Sequence, residues 1–301
     1  MVSKDSMGEK VFQVTNNIFL AILGFLTIYP IFYMLILSFN EGHDSMMGGI
    51  WLYPRKFTLF NYEFVLNNPL IKDAYMVSIG RAVIGTVVSI LVTAVVAYGL
   101  SFRELPYKKI IMTFIIIPMV FSGGLIPYYL QLRNLKLVNT FWVFIIPAAF
   151  NIFNMFVMKK FFMDLPESLK EAAYIDGAGH LTILFKIILP LSIPTLAALS
   201  LFTAVGQWND WFSGAFYVEN LKLMPLQTYL QRILSADSLN MLSGDNKVVQ
   251  EAAARQSQMS TMTVTSVKMA AVMAGTIPIL CVYPFLQKYF VKGMLVGSVK
   301  G

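Results

Sequence analysis

Apolar segments of about 20 residues recur along this chain, and they constrain its fold more than any other feature. Each is long enough to cross a hydrocarbon core of about 30 Å as a helix. Only 13% of the 301 residues are charged, whereas soluble domains hold about 25%, so lipid is the expected solvent. The pattern therefore predicts an all-α polytopic membrane protein.

Six of these segments are predicted to span the membrane. They are Ile18–Ser38, Met76–Leu100, Ile110–Leu130, Phe141–Met158, Leu191–Phe216 and Met269–Phe290. They divide the chain into an N-terminal segment (1–17), a six-span domain (18–290) and a C-terminal tail (291–301). An external loop is expected at 217–268, with helices at Pro225–Leu230 and Asn246–Met259.

Basic residues beside the spans predict the orientation of the chain in the membrane. The side that holds both termini carries 12 of them in about 67 positions, and the opposite side carries 10 in about 102. The denser side is expected to be cytoplasmic, so both termini lie inside the cell. Since topology also explains the net charge of +7, no nucleic-acid partner is expected.

The sequence offers few groups for metal binding or catalysis. Its single cysteine, Cys281, lies in an apolar run, and His43 and His180 are far apart without ligand-like neighbours. We interpret both histidines as polar loop or interface residues and expect no metal site. No Gly-x-x-x-x-Gly-Lys-Ser/Thr phosphate loop is present, so the chain is predicted to be non-catalytic and to bind no cofactor by that route.

A polar stretch at 164–190 separates the fourth and fifth spans. Pro166 and nearby carboxylates favour the start of a helix over Glu167–Ile175, with Ala172 and Ala173 giving it a slim face. Gly177 then relaxes the backbone so that a second helix can leave in another direction. An ordinary cytoplasmic loop, in which Ala and Gly only permit close packing, is the alternative interpretation.

The spacing in this stretch resembles the EAA loop of the membrane subunits of ATP-binding-cassette importers. The loop residues that match or offer charges to a partner are Glu167, Glu171, Ala172, Ala173, Asp176, Gly177, Leu189 and Pro190. A second Glu-Ala-Ala triplet, at 251–253, lacks the glycine and the Ile-x-Leu-Pro that follow in the first, so we interpret it as an exposed helix.

Further segments resemble the carbohydrate branch of these importers. They are Tyr29–Tyr33, Ser38–Asn40, Ala97–Ser101 and Trp208–Trp211. Phe121–Pro127 and Asn139–Trp142 are similar to the branch that imports acidic or complex oligosaccharides, of the alginate or rhamnogalacturonan type. The resemblance covers nearly the whole chain and extends to the six-span partner of a larger permease in the maltose importer.

This resemblance implies the type I importer permease fold, with six transmembrane helices and a cytoplasmic coupling helix in the EAA loop. It also implies a heterodimer with a second, different permease in a bacterial inner or plasma membrane. Two copies of an ATPase subunit, which bind ATP and Mg, would dock on the EAA loops, and Glu171 would contact that ATPase. An extracytoplasmic solute-binding protein would deliver the oligosaccharide.

Polar and aromatic side chains in the fifth span are candidates for the substrate pathway, because polar groups at that depth normally face a cavity or another helix. They are Gln207, Trp208, Asn209, Asp210 and Trp211, joined by Asn154 in the fourth span. Amides and indoles suit sugars, but an aromatic belt with helix-packing hydrogen bonds is the alternative. Arg81 in the second span is interpreted as a snorkelling interface residue or, less favoured, as a contact to a saccharide carboxylate.

The leading hypothesis is a permease subunit of an ATP-driven oligosaccharide importer. The same machine carrying a non-sugar solute is an alternative, although the carbohydrate-type segments argue against it. A secondary transporter is another. Such a transporter needs ion-coupling carboxylates within its spans, and Asp210 is the one residue that approaches this description.

Overall fold

The computed structural model describes residues 7–235, 263 and 265–281, which form helices, turns and an isolated bridge between Asn40 and Phe57. The first helices are α1 (Met7–Ser38), α2 (Gly42–Met46), α3 (Phe60–Asn67), α4 (Pro69–Ser101), α5 (Lys108–Val120), α6 (Leu125–Asn134) and α7 (Ile152–Asp164). After them come α8 (Glu167–Ile175), α9 (His180–Ile183), α10 (Leu189–Leu191), α11 (Ile193–Asn209), α12 (Phe212–Tyr217), α13 (Leu226–Ser235) and α14 (Thr265–Cys281). The predicted helical fold is confirmed for the described residues.

Helices α1 and α4 are each long and apolar enough to cross a membrane, and they contain the first and second predicted spans. Two bent helix pairs raise the number of such crossings among the described residues to as many as four. The sixth predicted span, Met269–Phe290, begins in α14 and continues outside the described residues. The expected helix at Asn246–Met259, the triplet at 251–253 and the tail at 291–301 lie outside them altogether.

The segment predicted as the third span, Ile110–Leu130, is not one straight helix. It divides into α5 and α6, whose axes differ by 116°. The break falls at residues 121–124, where Gly124 has a φ of +85°, a conformation that L-residues with side chains rarely adopt. The helix is therefore interrupted at this glycine, although the apolar pattern predicts a continuous one.

The fourth and fifth predicted spans are interrupted as well. Phe141–Met158 begins with a 3-10 turn at Phe141–Phe144, and α7 starts only at Ile152, where the Asn151 side chain accepts a hydrogen bond from the Asn154 N–H at 2.8 Å. In Leu191–Phe216 the chain bends by 84° before α11 and breaks again at residues 210–211, before α12.

The described residues divide into two compact units, and the first draws on residues 7–68, 233–235, 263 and 265–276. Much of α1 is exposed along its length, as expected of a helix solvated by lipid. Past its end, the buried Asn40 amide nitrogen donates to Asp44 at 3.0 Å and to Ser45 at 2.9 Å, and Asn61 donates to the Ser38 carbonyl at 3.0 Å. Hydrogen bonds of the Ser38–Asn40 motif thus stabilise the loop that follows α1.

The second unit draws on residues 69–232 and 277–281. Helix α4 packs there against α7 and α11, and small residues such as Ala94 and Ala97 let the helices approach closely. The core continues through Met155, Met158 and Phe162 of α7 to Ile183 and Leu184 at the end of the EAA loop. The loop and the helices it joins therefore share one packed core.

Candidate functional site: the EAA loop and a polar cavity

The EAA loop contains the helix that the sequence predicts, α8, over Glu167–Ile175. Its end is closed by Gly177, at a φ of +78°, whose N–H donates to the Tyr174 carbonyl at 3.0 Å. The Ala178 N–H donates to the Ala173 carbonyl at 2.9 Å. These two bonds form a Schellman motif, so Gly177 has a defined structural role at the end of α8.

The two alanines of the motif lie on different faces of α8. Ala173 is buried against the core, whereas Ala172 is exposed. Consecutive residues of a helix point about 100° apart, so the predicted slim face made by both alanines is wrong. The carboxylates of Glu167, Glu171 and Asp176 are exposed, as a charged contact surface requires.

Lys170 lies on the buried face of α8, with 9% of the residue exposed. Its ammonium donates to the Phe162 carbonyl at 3.3 Å and lies 5.7 Å from the centre of the Phe102 ring. Burial lowers the pKa of this ammonium from its ordinary value, and the Glu167 carboxylate partly opposes that shift. A charged side chain thus anchors α8 to the end of α7.

His180 connects α8 to the helices beneath it. Its Nδ1 lies 2.6 Å from the Tyr174 hydroxyl, and its ring meets the Phe102 ring edge-on at 5.4 Å. The second helix of the loop begins at this residue and passes through a π-helical turn at Leu184–Ile188. Leu189 and Pro190 follow in α10, with Leu189 half-buried and Pro190 exposed.

Exposed apolar side chains surround the exposed carboxylates of the loop. Ile175 is 86% exposed and Leu181 is 65% exposed, and Leu169 and Tyr174 are also exposed. Large apolar side chains beside carboxylates are typical of surfaces that bind another protein.

The second unit contains a cavity of about 710 Å³ between α4, α7, α11 and α12. Three of the predicted pathway residues, Asn154, Gln207 and Asp210, line it. Asn154 donates its amide to the Thr203 hydroxyl at 3.1 Å, and Gln207 donates to the Phe144 carbonyl at 3.4 Å. One wall of the cavity is therefore polar and is held together by hydrogen bonds between helices. Aromatic side chains also line the cavity.

Arg81 holds this polar wall together. Its guanidinium forms an ion pair with Asp210 at 2.6 Å and donates to the side-chain amide oxygen of Gln207 at 3.2 Å. It also donates to the Asp210 backbone carbonyl at 2.9 Å and lies 4.5 Å from the centre of the Phe144 ring. Because only 2% of Arg81 is exposed, the snorkelling interpretation is wrong.

Asp210 also shapes the chain at the end of α11. Its second carboxylate oxygen accepts a hydrogen bond from the Ser213 N–H at 3.1 Å, in the first turn of α12. Asp210 thus follows the end of α11, binds the first turn of α12 and neutralises Arg81.

The other three pathway candidates do not line the cavity. Trp208 is buried with its ring 6.4 Å from that of Tyr75, and Asn209 is exposed. Trp211 is 41% exposed, and its carbonyl accepts a hydrogen bond from Thr228 at 2.8 Å. These neighbours in sequence are separated by the helical rotation of α11 and by the break that follows it.

Two residues of α4 line the cavity, Arg81 and Ser89; Arg81 was singled out from the sequence without its partners, and Ser89 was not identified. Arg81, Gly85 and Ser89 recur every four residues, and a side chain at Gly85 would meet the Gln207 amide at 2.9 Å. This i, i+4 stripe of polar and small residues in an apolar helix was the signal available.

Apolar helices around a polar cavity, with an exposed helical loop between two of them, define a membrane transport component. The chain belongs to the family described as binding-protein-dependent transport system inner membrane component, whose model matches residues 85–296.

Two relatives from Bacillus subtilis (strain 168) match nearly the full chain. Protein LplC is 38% identical over 297 residues, which cover 99% of this chain and 97% of that protein. The polygalacturonan/rhamnogalacturonan transport system permease protein YtcP is 36% identical over 295 residues, covering 98% and 100%. A chain from the crystal structure of a bacterial ABC transporter involved in the import of the acidic polysaccharide alginate has a TM-score of 0.87 and 29% identity, covering 96% of this chain and 100% of that one.

Proposed function

We propose that this chain is the permease subunit of an ATP-driven importer that carries an acidic or complex oligosaccharide across the cell membrane. The observation that carries the proposal is the match, over nearly the full length of each chain, to a transporter of alginate and to a permease for polygalacturonan and rhamnogalacturonan. All three substrates are acidic polysaccharides or their fragments, so these relatives of the chain share a solute class.

The EAA loop supplies the coupling to ATP hydrolysis in this proposal. Helix α8 docks in a groove of a separate ATPase subunit, which binds ATP and Mg, and Glu171 forms the ionic contact. Support comes from the exposure of Glu171, the exposed apolar side chains of Ile175 and Leu181, and the rigid end that Gly177 gives the helix. A second permease and an extracytoplasmic solute-binding protein complete the assembly.

The cavity is the part of the substrate path that this subunit contributes. Asn154 and Gln207 offer amides that suit sugar hydroxyls, and Tyr128 and Phe144 offer aromatic faces for the apolar side of a sugar ring. We assign the path to these residues, and we assign Trp208, Asn209 and Trp211 to helix packing and the protein surface.

The proposed topology has six spans, with the breaks in the third to fifth spans lying inside the membrane protein and both termini in the cytoplasm. Broken helices are tolerated at membrane depth where they are buried in protein or line a cavity. Cysteine substitutions at residues 4 and 300, labelled from either side of sealed vesicles, test this orientation. Labelling from outside would contradict it.

A secondary transporter is disfavoured by the ion pair of Asp210. Its carboxylate lies 2.6 Å from the Arg81 guanidinium and accepts the Ser213 N–H, so it is not free to bind a coupling ion. Energy from a partner ATPase is the better account of transport by this chain.

Co-purification tests the proposal directly. The chain is expressed with its genomic neighbours, extracted in mild detergent, and analysed for associated proteins. A second permease and an ATP-binding subunit are expected, and the reconstituted complex should take up acidic oligosaccharides faster than neutral ones when ATP is supplied. Recovery of the chain alone, with uptake unaffected by ATP depletion, would contradict the proposal.

A further inference from the structure

A stripe of buried polar residues runs along the face of α4 toward its neighbours. Ser78, Arg81, Ser89 and Thr93 are each no more than 2% exposed. The Ser78 hydroxyl accepts the Leu226 N–H at 2.8 Å, and the Thr93 hydroxyl accepts the Asn151 N–H at 3.2 Å. The stripe therefore joins α4 to other segments by specific hydrogen bonds.

Ser89 differs from the rest of this stripe, because its hydroxyl is buried and has no hydrogen-bond partner within the protein. Burying a hydroxyl without a partner destabilises a folded protein, and α4 uses alanine at other tightly packed positions. Packing alone is thus a poor reason for a serine at this position.

The position of Ser89 indicates what its hydroxyl is for. Ser89 lines the same cavity as Asn154 and Gln207, each of which uses part of its amide hydrogen-bonding capacity on Thr203 or on Arg81. A serine hydroxyl both donates and accepts, so it can pair with a sugar hydroxyl in either sense. Among the buried hydroxyls that lack a partner in the described part of the protein, Ser89 is the one that lines this cavity.

We propose that the Ser89 hydroxyl binds a hydroxyl group of the saccharide inside the cavity and so stabilises the substrate during its passage. This inference rests on the proposed function, and it adds a binding residue that the sequence did not suggest. A hydrogen bond between neutral groups predicts a three- to tenfold effect, about what such bonds contribute in proteins.

The test compares two substitutions on the same helix. Ser89→Ala removes the cavity hydroxyl, and Thr86→Val removes another buried hydroxyl without a partner, on a residue that does not line this cavity. Each variant is reconstituted in proteoliposomes as the complete complex, and ATP-driven uptake of a labelled acidic oligosaccharide is measured beside the thermal midpoint.

Ser89→Ala should lower uptake by about three- to tenfold while its thermal midpoint stays equal or rises, because an unsatisfied buried hydroxyl is removed. Thr86→Val should leave uptake unchanged. Wild-type uptake by Ser89→Ala would show that the hydroxyl contributes nothing to substrate binding and would overturn the inference. So would a parallel loss of uptake and thermal midpoint, which indicates a structural role. If the wild-type complex takes up no oligosaccharide, the proposed function itself fails, whichever result the variants give.

Discussion

The EAA loop and the polar cavity are built by different kinds of contact. The hydrogen bonds that close the loop join near neighbours in the chain, such as Tyr174 and His180, which are six residues apart. The cavity wall depends on Arg81 and Asp210, which are 129 residues apart. A change in the loop should therefore act locally, whereas a change in the cavity wall should loosen distant helices from one another.

The largest expected effect on stability comes from removing the Arg81 charge. Arg81→Met leaves the Asp210 carboxylate, whose side chain is 29% exposed, without its cation and deprives Gln207 of a donor. Breaking a buried pair in this way costs about 3–5 kcal/mol. The thermal midpoint of the purified complex should fall sharply, which differential scanning fluorimetry measures.

A matched control for this substitution is Arg133→Met, because Arg133 is exposed. It should leave the thermal midpoint close to that of the wild type. The double variant Arg81→Met/Asp210→Asn should recover part of the lost stability, since it also removes the unpaired carboxylate. An Arg81→Met protein as stable as the wild type would contradict the role of Arg81 in holding the cavity wall.

The turn of the EAA loop should show a smaller effect that depends on backbone conformation. Gly177→Ala forces a side chain into a φ of +78°, which costs about 1 kcal/mol. Gly179 lies two residues later at a φ of −76°, which any residue adopts, so Gly179→Ala should change stability by only a few tenths of a kcal/mol. A side chain at either position meets no atom within 4 Å, so sterics do not separate the two variants.

The measurement is thermal unfolding together with ATP-driven uptake for both variants. Gly177→Ala should lower uptake as well, because the end of α8 is displaced, while Gly179→Ala should retain it. Equal behaviour of the two variants would show that the Schellman motif does not determine the geometry of the loop.

The pH dependence of stability tests the anchoring of α8. Burial lowers the pKa of Lys170 in the folded protein below its ordinary value of 10.5. Between the folded and unfolded pKa values the unfolded chain binds the extra proton, so stability should increase as pH rises through this window. Lys170→Arg keeps a charge that does not titrate there, so it should abolish that rise. An unchanged profile in the variant would assign the rise to other groups.

The same contrast explains which features could be predicted from the sequence. The bounds of α8 followed from Pro166, the carboxylates beside it and Gly177, because helix starts and ends are decided by local groups. The long apolar helices followed from composition. The positions of the breaks at residues 145–151 and 210–211 could not be predicted from the sequence. Packing against distant helices determines these positions, and an apolar run contains no local signal for them.

The cavity shows the limit of prediction most clearly. Gln207, Asp210 and Asn154 were selected as polar groups in apolar helices, and they line the cavity. Trp208 and Asn209 were selected on the same basis, and they do not. Arg81 could not be assigned because its partners are 126 and 129 residues away, and only tertiary packing brings them together.

Charge reversal at Glu171 is expected to change stability least of all these substitutions and to abolish ATPase binding and transport. This side chain is exposed, so Glu171→Arg should leave insertion and the thermal midpoint of the permease unchanged within about 0.5 kcal/mol. The new cation would face the Arg or Lys of the ATPase groove, and repulsion between like charges should release the ATPase. Pull-down of the ATPase subunit and ATP-driven uptake should both be lost.

Glu104→Arg, at another exposed carboxylate on the same predicted side of the membrane, should retain both. The loop hydrogen bonds are local, and Arg81 stabilises the cavity wall independently of them. Loss of coupling with an intact fold would therefore show that the loop acts in coupling without determining the stability of the cavity. Normal uptake and pull-down by Glu171→Arg would remove the coupling role from this residue and leave α8 as a packing element.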